Sequence, residues 1–248
     1  MTATRYDRIG RTYTTTRRTE PRIQARIEAA LGDASRILNV GAGTGSYEPP
    51  GREVVAVEPS PTMIAQRPPG TAPVVRAFAE ALPFRDESFD AALAIFTVHH
   101  WSDTVRGLSE LPRVAGRQVV LSFDGTAERF WLITDYFREA APLDNDARGY
   151  TPDAIGEVLD VRRVEPVPIP AGCVDGFMAC YWSRPEAYLD PAVQAGISGL
   201  ARLDPGPRER VTARLRADLQ SGAWDARWGH LRTRTELDVG YVLIVAGD

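Results

Sequence analysis

The segment Ile37–Ser46 (ILNVGAGTGS) decides the fold of this 248-residue chain. It is a short apolar run that ends in glycines at positions 41, 43 and 45. Glycine lets a chain turn tightly and lets backbone N–H groups approach a ligand closely. The loop follows the first predicted strand, and we expect it to lead into a helix. A Gly-rich loop in this position marks the edge where open α/β sheets bind their ligands. The segment therefore predicts an α/β sheet with a ligand site at this loop.

Apolar runs alternate with helical patterns on both sides of this segment. The pattern predicts a helix over Glu20–Leu31, and Phe89–Phe96 is apolar enough to predict a strand buried on both faces. Alternating strands and helices favour an open sheet covered by helices. Asp238–Val245 is the last predicted strand, and the helical block before it is too long for a simple connection. We therefore expect a helical insertion in a single domain.

The composition excludes several classes of mechanism. All 29 basic side chains are Arg, so the chain has neither a Schiff-base lysine nor a P-loop lysine. The formal net charge of −4 argues against a general nucleic-acid-binding protein. Cys173 and Cys180 lack the partners of a metal site, and their number does not indicate a disulfide framework. Without a signal-like N-terminus or a membrane-spanning run, the sequence predicts a cytoplasmic protein.

An acidic residue at the end of the second strand indicates which ligand the loop binds. Glu58 lies 17 residues after Gly41, where a carboxylate can accept two hydrogen bonds from a ribose diol. The same carboxylate would repel a 2′-phosphate, which argues against NADP. The third small position of the dinucleotide fingerprint holds Ser46, which disfavours NAD without excluding it. The loop and the acid together indicate a nucleoside site.

Four blocks of sequence follow one another at regular intervals in the first half of the chain. They are Asn39–Gly45 (NVGAGTG), Val57–Met63 (VEPSPTM), Ala79–Phe84 with Asp86–Asp90 (AEALPF and DESFD), and Val98–Trp101 (VHHW). In this order they resemble the class I S-adenosylmethionine-dependent methyltransferases, in the ubiquinone/menaquinone-biosynthesis-like (type 11) group. The resemblance implies a Rossmann-like seven-stranded sheet whose last strand is antiparallel, with helices on both faces and a helical substrate-cap insertion.

The resemblance also implies S-adenosylmethionine as the cofactor and a set of residues that bind it. The glycine loop would approach the methionine part, Glu58 the ribose, and Pro59 with Met63 the adenine. The full set is Tyr13, Arg17, Gly41, Ala42, Gly43, Glu58, Pro59, Met63, Phe78, Ala79, Phe96 and Thr97. The chain departs from the family at Asn39 and Phe78, where Asp is usual or frequent. The second departure implies that packing and backbone groups hold the adenine.

The chain is expected to consist of four parts with different roles around the implied site. We expect a mobile N-terminal arm over residues 1–18, a cofactor-binding core over 19–170, the helical cap over 171–236 and the last strand over 237–248. The arm carries Tyr13 and Arg17, which resemble residues that close over the cofactor in the family.

The implied reaction is in-line methyl transfer to a small-molecule acceptor without a metal. The sulfonium is already an activated electrophile, so the protein mainly aligns the reactants. A protonated acceptor also needs a base, and the candidates are His99, His100 and Asp124 at the ends of two predicted strands. Aromatic residues concentrate in the later half of the chain and predict an apolar or aromatic acceptor, with no nucleic-acid or membrane partner.

Three alternatives remain open at this point. An enzyme could keep the S-adenosylmethionine site but catalyse cyclisation or rearrangement. An NAD-dependent oxidoreductase is disfavoured by Ser46 and by the absence of a Tyr-x-x-x-Lys pair. A regulator that binds S-adenosylmethionine without catalysis is the third.

Overall fold

The computed structural model describes residues 17–126, 130–137 and 150–248. Strands in these residues are β1 (Arg36–Val40), β2 (Glu53–Val57), β3 (Val74–Val75), β4 (Phe89–Ile95), β5 (Ala115–Phe123), β6 (Val161–Pro166), β7 (Ile169–Pro170), β8 (Glu236–Leu237) and β9 (Tyr241–Gly247). Seven of them form one sheet in the order β3-β2-β1-β4-β5-β9-β6. β9 runs antiparallel to both of its neighbours. The predicted seven-stranded sheet with an antiparallel last strand is confirmed.

Helices cover both faces of this sheet. They are α1 (Pro21–Leu31), α2 (Pro61–Ile64), α3 (Thr104–Val114), α4 (Pro152–Gly156), α5 (Pro191–Gly196), α6 (Ser198–Ala201), α7 (Pro205–Ser221) and α8 (Ala223–Trp228). α1 ends at Gly32, whose φ of +58° suits a helix C-terminus. A π-helical turn spans Leu132–Phe137.

Successive residues of the central strands point into two separate apolar layers. Ile37 and Leu93 pack in the layer that contains α1, whereas Leu38 and Ala92 pack in the layer that contains α3. Strand side chains alternate between faces, so an almost wholly apolar strand can be buried on both. This burial confirms the prediction made for the Phe89–Phe96 run, and it holds the strand ends rigidly where the glycine loop begins.

The connection from β1 to β2 differs from the prediction. The described residues 41–52 form turns, and no helix lies among them. Pro49 and Pro50 lack the backbone N–H groups that a helix requires, and Tyr47 has a φ of +62° that is outside helical space. The loop therefore turns straight back to β2 and is not followed by a helix N-terminus.

We call residues 171–236 the cap, after the expectation for this segment, and a two-stranded ribbon joins it to the sheet. β7 pairs with β8, with Ile169 opposite Leu237, so residues 171–235 leave and return at one point. Trp182 donates its indole N–H to the carbonyl of Ile169 at 2.8 Å. Trp131 donates in turn to the carbonyl of Trp182 at 2.8 Å. Because each indole N–H has an acceptor, these two large side chains are buried without an unsatisfied donor.

No helix in the described part of the chain is both long and apolar enough to cross a membrane.

Removal of a core side chain from α3 should destabilise the protein far more than removal of an exposed one. Leu111 is fully buried, whereas Val105 on the same helix is 63% exposed. Leu111→Ala should lower the free energy of unfolding by about 2–5 kcal/mol, because it leaves a cavity. Val105→Ala should change it by less than about 0.5 kcal/mol. Denaturant unfolding measures both, and equal effects would contradict the assignment of the core face of α3.

Candidate functional site

A cavity of about 630 Å³ lies at the carboxyl ends of β1, β2 and β4. This volume is within the range of roughly 300–1,000 Å³ typical of small-molecule sites. The structure brings together eleven of the twelve residues predicted to bind the cofactor. They are Arg17, Gly41, Ala42, Gly43, Glu58, Pro59, Met63, Phe78, Ala79, Phe96 and Thr97. Tyr13 lies outside the described residues.

Gly41 forms one wall of the cavity and cannot be replaced without strain. Its φ is +71°, and a Cβ atom there would lie 1.9 Å from the hydroxyl oxygen of Thr97. Thr97 is itself fixed, because the indole N–H of Trp101 donates to the same hydroxyl at 3.3 Å. The loop after β1 and the turn after β4 therefore touch directly, and only glycine permits this approach.

The backbone N–H groups of the glycine loop donate to acceptors within the protein. The N–H groups of Gly41 and Ala42 both donate to the carbonyl of Val57, at 2.8 and 3.0 Å. The N–H of Gly45 donates to the carbonyl of Ala42 at 2.9 Å. These bonds bend the loop over the end of β2 and give these three N–H groups acceptors within the protein.

Glu58 is a buried carboxylate whose orientation is set by backbone groups. It is 5% exposed. Its Oε2 accepts a bond from the N–H of Gly43 at 2.8 Å, and its Oε1 accepts one from the N–H of Ser60 at 2.8 Å. These two charge-assisted backbone bonds fix the direction of the carboxylate. The acid thus joins the glycine loop to the loop after β2 and faces the cavity.

Arg17 reaches the cavity from the N-terminal segment and pairs with the cap. Its Nε lies 2.5 Å from Oδ1 of Asp175, and its Nη2 donates to Oδ2 at 3.2 Å. Asp175 is fully buried and also accepts a bond from the hydroxyl of Tyr47 at 2.7 Å. Burial and the neighbouring Asp175 carboxylate raise the pKa of Tyr47 well above its ordinary value, so the phenol stays protonated and donates.

The three candidate bases do not converge on one point. His100 lines the cavity, whereas His99 and Asp124 are not among its described lining residues. His99 packs against the rings of Phe123 and Tyr150, at centroid distances of 5.5 and 5.7 Å.

Asp124 is occupied in a local turn. Its Oδ1 accepts bonds from the backbone N–H of Thr126, at 2.8 Å, and from the Thr126 hydroxyl. Its own N–H donates to the carbonyl of Gly240 at 2.8 Å. These contacts direct the carboxylate toward the end of β9.

In the described residues, no group of three His, Cys, Asp or Glu side chains is placed to hold a metal ion.

Several cavity residues were not selected from the sequence. Asn39, Tyr47, Trp101 and Arg106 line it as well. Two of them had a sequence signal. Asn39 lies near the end of β1, and Trp101 belongs to the VHHW block. Tyr47 gives no local signal, because its contact partner Asp175 is 128 residues away along the chain.

Comparisons with known proteins agree on the family. A sequence profile described as a methyltransferase domain matches residues 38–123. A demethylmenaquinone methyltransferase from Mycobacterium sp. (strain KMS) is 32% identical over 163 residues, which are 62% of this chain and 70% of that protein. A solved protein from Anabaena variabilis ATCC 29413, assigned as a methyltransferase of an antibiotic biosynthesis pathway, matches with a TM-score of 0.80 and 32% identity, over 94% of this chain and 99% of that one.

A more distant neighbour shows the fold alone. The [4+2]-cyclase SpnF matches with a TM-score of 0.55 and 15% identity, over 98% of this chain and 92% of that one. One fold can host unrelated chemistries, so this likeness carries no argument about activity.

The sheet order, the glycine loop and the buried acid define an α/β protein with a ligand site at the carboxyl edge of its parallel strands. Together with its relatives, these features show that the chain belongs to the class I S-adenosylmethionine-dependent methyltransferases, in the ubiquinone/menaquinone-biosynthesis-like group. It is an enzyme that transfers methyl groups to a small-molecule acceptor. The prediction made from the four sequence blocks is confirmed.

Replacement of Gly41 tests the close approach between the two loops. Gly41→Ala should weaken the binding of S-adenosylhomocysteine at least about tenfold, because positive-φ strain and the clash with Thr97 displace the loop. Isothermal calorimetry measures this affinity. Gly51→Ala is the matched control, since Gly51 also has a positive φ of +74° but a Cβ there meets no atom within 4 Å. Equal losses in the two variants would show that the contact with Thr97 is unimportant.

Proposed function

We propose that this cavity binds S-adenosylmethionine with the ribose on Glu58. The observation that carries the proposal is the buried Glu58 carboxylate, held at the cavity wall by the N–H groups of Gly43 and Ser60. An acid fixed in this way can accept both hydroxyls of a ribose diol without reorganisation. Reorganisation would otherwise reduce the affinity.

The donor arrangement fits a nucleoside without phosphates. In dinucleotide sites the pyrophosphate rests on free loop N–H groups and on a helix N-terminus. Here the N–H groups of Gly41, Ala42, Gly43 and Gly45 all bond to protein acceptors. The described residues 41–52 also supply no helix after the loop. These features favour S-adenosylmethionine over NAD.

The remaining cavity residues suit the two ends of this molecule. Phe78 is 40% exposed at the cavity, and Met63 and Ala79 are buried beside it, so adenine can pack among them. Gly41, Phe96 and Thr97 also line the cavity. Phe96 packs against Tyr47, which bonds to the Asp175 partner of Arg17, so we assign this group to the amino-acid end. We assign the predicted contacts accordingly, with Ala42 and Gly43 along the middle and Pro59 beside the adenine.

Catalysis at this site consists mainly of alignment. When bound, S-adenosylmethionine supplies a methyl group that is already activated on a sulfonium. The protein holds both reactants in line and excludes water from the site. Alignment of this kind raises the reaction rate strongly, as it does in intramolecular reactions. His100 is the candidate base that lines the cavity, and we propose that it takes the proton of a protonated acceptor.

The acceptor is proposed to be flat and apolar or aromatic. Phe96 at the cavity wall contacts Phe177 of the cap and Tyr241 of β9, at centroid distances of 5.0 and 5.5 Å. Aromatic walls of this kind suit a ring-shaped ligand. The Mycobacterium relative is named for demethylmenaquinone, which agrees with a quinone-like acceptor. A screen of phenols, quinols, amines and acids with labelled cofactor identifies the class.

Loss of the Glu58 carboxylate should weaken cofactor binding strongly. The wild type should bind S-adenosylhomocysteine in the micromolar range. Glu58→Ala should weaken that binding about a hundredfold, because two hydrogen bonds to a charged group are lost. Glu53→Ala is the control, since Glu53 begins β2, the strand that Glu58 directly follows, but its side chain is 69% exposed. Calorimetry that shows binding of NAD and of neither S-adenosylmethionine nor its product would refute the proposal.

The two neighbouring histidines should differ in their effect on turnover. Only His100 lines the cavity, so His100→Gln should lower kcat for a protonated acceptor by about 10²–10⁴-fold, the usual contribution of a general base. His99→Gln should leave kcat within about threefold, because ring contacts and not proton transfer are changed. Steady-state rates with the best acceptor of the screen measure both. An unchanged kcat in His100→Gln would remove His100 from the mechanism.

A further inference from the structure

A buried acid of the cap stands directly behind one residue of the cavity wall. Asp175 is fully buried and forms a two-bond ion pair with Arg17, whose side chain is 9% exposed. Buried ion pairs cost desolvation and are weak stabilising elements compared with apolar packing. A pair that is nevertheless placed beside the ligand cavity therefore suggests a role in binding.

A third side chain holds the carboxylate in place. The hydroxyl of Tyr47 donates to Oδ2 of Asp175 at 2.7 Å. Tyr47 follows the glycine loop and lines the cavity, and it accepts a bond from the N–H of Glu20 at 3.5 Å. Asp175 is thus held from the side of the glycine loop as well as from the N-terminal segment, which leaves its carboxylate one orientation.

The ion pair lies at the end of the cavity that suits the amino-acid part of the cofactor. Tyr47 packs edge-on against Phe96, with ring centroids 6.1 Å apart. Phe96 in turn contacts Phe177, two residues after Asp175, at 5.0 Å. Arg17 therefore shares this end of the cavity with Gly41 and Phe96.

We propose that Asp175 is a positioning residue that holds the guanidinium of Arg17 ready for the carboxylate of S-adenosylmethionine. This inference rests on the proposed function of the cavity. The Nε and Nη2 edge of the planar guanidinium faces Asp175. That contact fixes the plane of the guanidinium, and Arg17 itself lines the cavity. A preorganised Arg fork loses less side-chain entropy when it binds a carboxylate.

The arrangement also connects the cap to cofactor binding. Asp175 belongs to the cap, whereas Arg17 and Tyr47 belong to the N-terminal segment and the glycine loop. Docking of the cap therefore orients the Arg17 guanidinium, which we assign to the amino-acid end of the cofactor. It does not orient the groups around the nucleoside.

Two ligands that differ only at the amino-acid end test this inference. S-adenosylhomocysteine has that end, and 5′-methylthioadenosine keeps the nucleoside and the sulfur without it. Calorimetry should show that Asp175→Asn weakens S-adenosylhomocysteine binding about tenfold and 5′-methylthioadenosine binding less than about twofold. The selectivity of the wild type for the first ligand should fall accordingly. Tighter binding of S-adenosylhomocysteine would instead make Asp175 a competitor for Arg17 and would overturn the inference.

Glu20→Gln is the matched control. Glu20 is equally buried and also ties the N-terminal segment to the cap, since it accepts a bond from the N–H of Val174 at 3.0 Å. It is not among the described residues that line the cavity. Loss of a purely structural link should weaken the binding of both ligands by the same factor, and this is the result we expect for Glu20→Gln. The same pattern in Asp175→Asn would overturn the positioning role.

A milder variant decides the matter if Asp175→Asn does not fold. Tyr47→Phe removes one hydrogen bond to Asp175 and keeps the ion pair, so its loss should be smaller and still selective for S-adenosylhomocysteine. An equal loss for both ligands would overturn the inference. A wild type that binds neither ligand would refute the proposed function itself, whereas a wild type that binds both equally would refute only the role of Arg17 and Asp175.

Discussion

The hydrogen bond from the N–H of Gly43 to the carboxylate of Glu58 connects the two loops on which the site depends. It joins the turn after β1 to the end of β2 across 2.8 Å. Gly41 makes this possible, because its positive φ bends the chain toward Val57 and leaves space for Thr97. The same bond orients the acid at the cavity wall. The turn after β1 and the direction of the Glu58 carboxylate therefore depend on one local geometry.

That geometry also separates this site from a dinucleotide site built on a similar sheet. A short turn with Pro49 and Pro50 replaces the helix that the glycine loop was predicted to enter. The N–H groups of Gly41, Ala42, Gly43 and Gly45 donate inside the protein, so they do not form the cradle on which a pyrophosphate rests in dinucleotide sites. A cofactor without phosphates between its nucleoside and its amino acid needs no such partners. The chain's lack of lysine is compatible with this chemistry, because an Arg fork suits a carboxylate.

Local signals allowed the strands, the glycine loop and Glu58 to be predicted from the sequence. Each depends on residues a few positions apart, and alternation of apolar runs determines the sheet around them. The pairing of Arg17 with Asp175 could not be predicted, because these residues are 158 positions apart and meet only when the cap docks. The helix after the loop was wrongly predicted, although the two prolines argued against it. The local turn that engages Asp124 likewise depends on Thr126 and Gly240 and has no signature in the strand pattern.

A crystal structure of the protein with S-adenosylhomocysteine would show whether Glu58 holds the ribose. Both ribose hydroxyls should bond to Glu58 while its bonds from Gly43 and Ser60 persist. The amino-acid end should lie beside Arg17, with Phe78 against the adenine. A nucleoside bound elsewhere, or one whose ribose makes no contact with Glu58, would contradict the account.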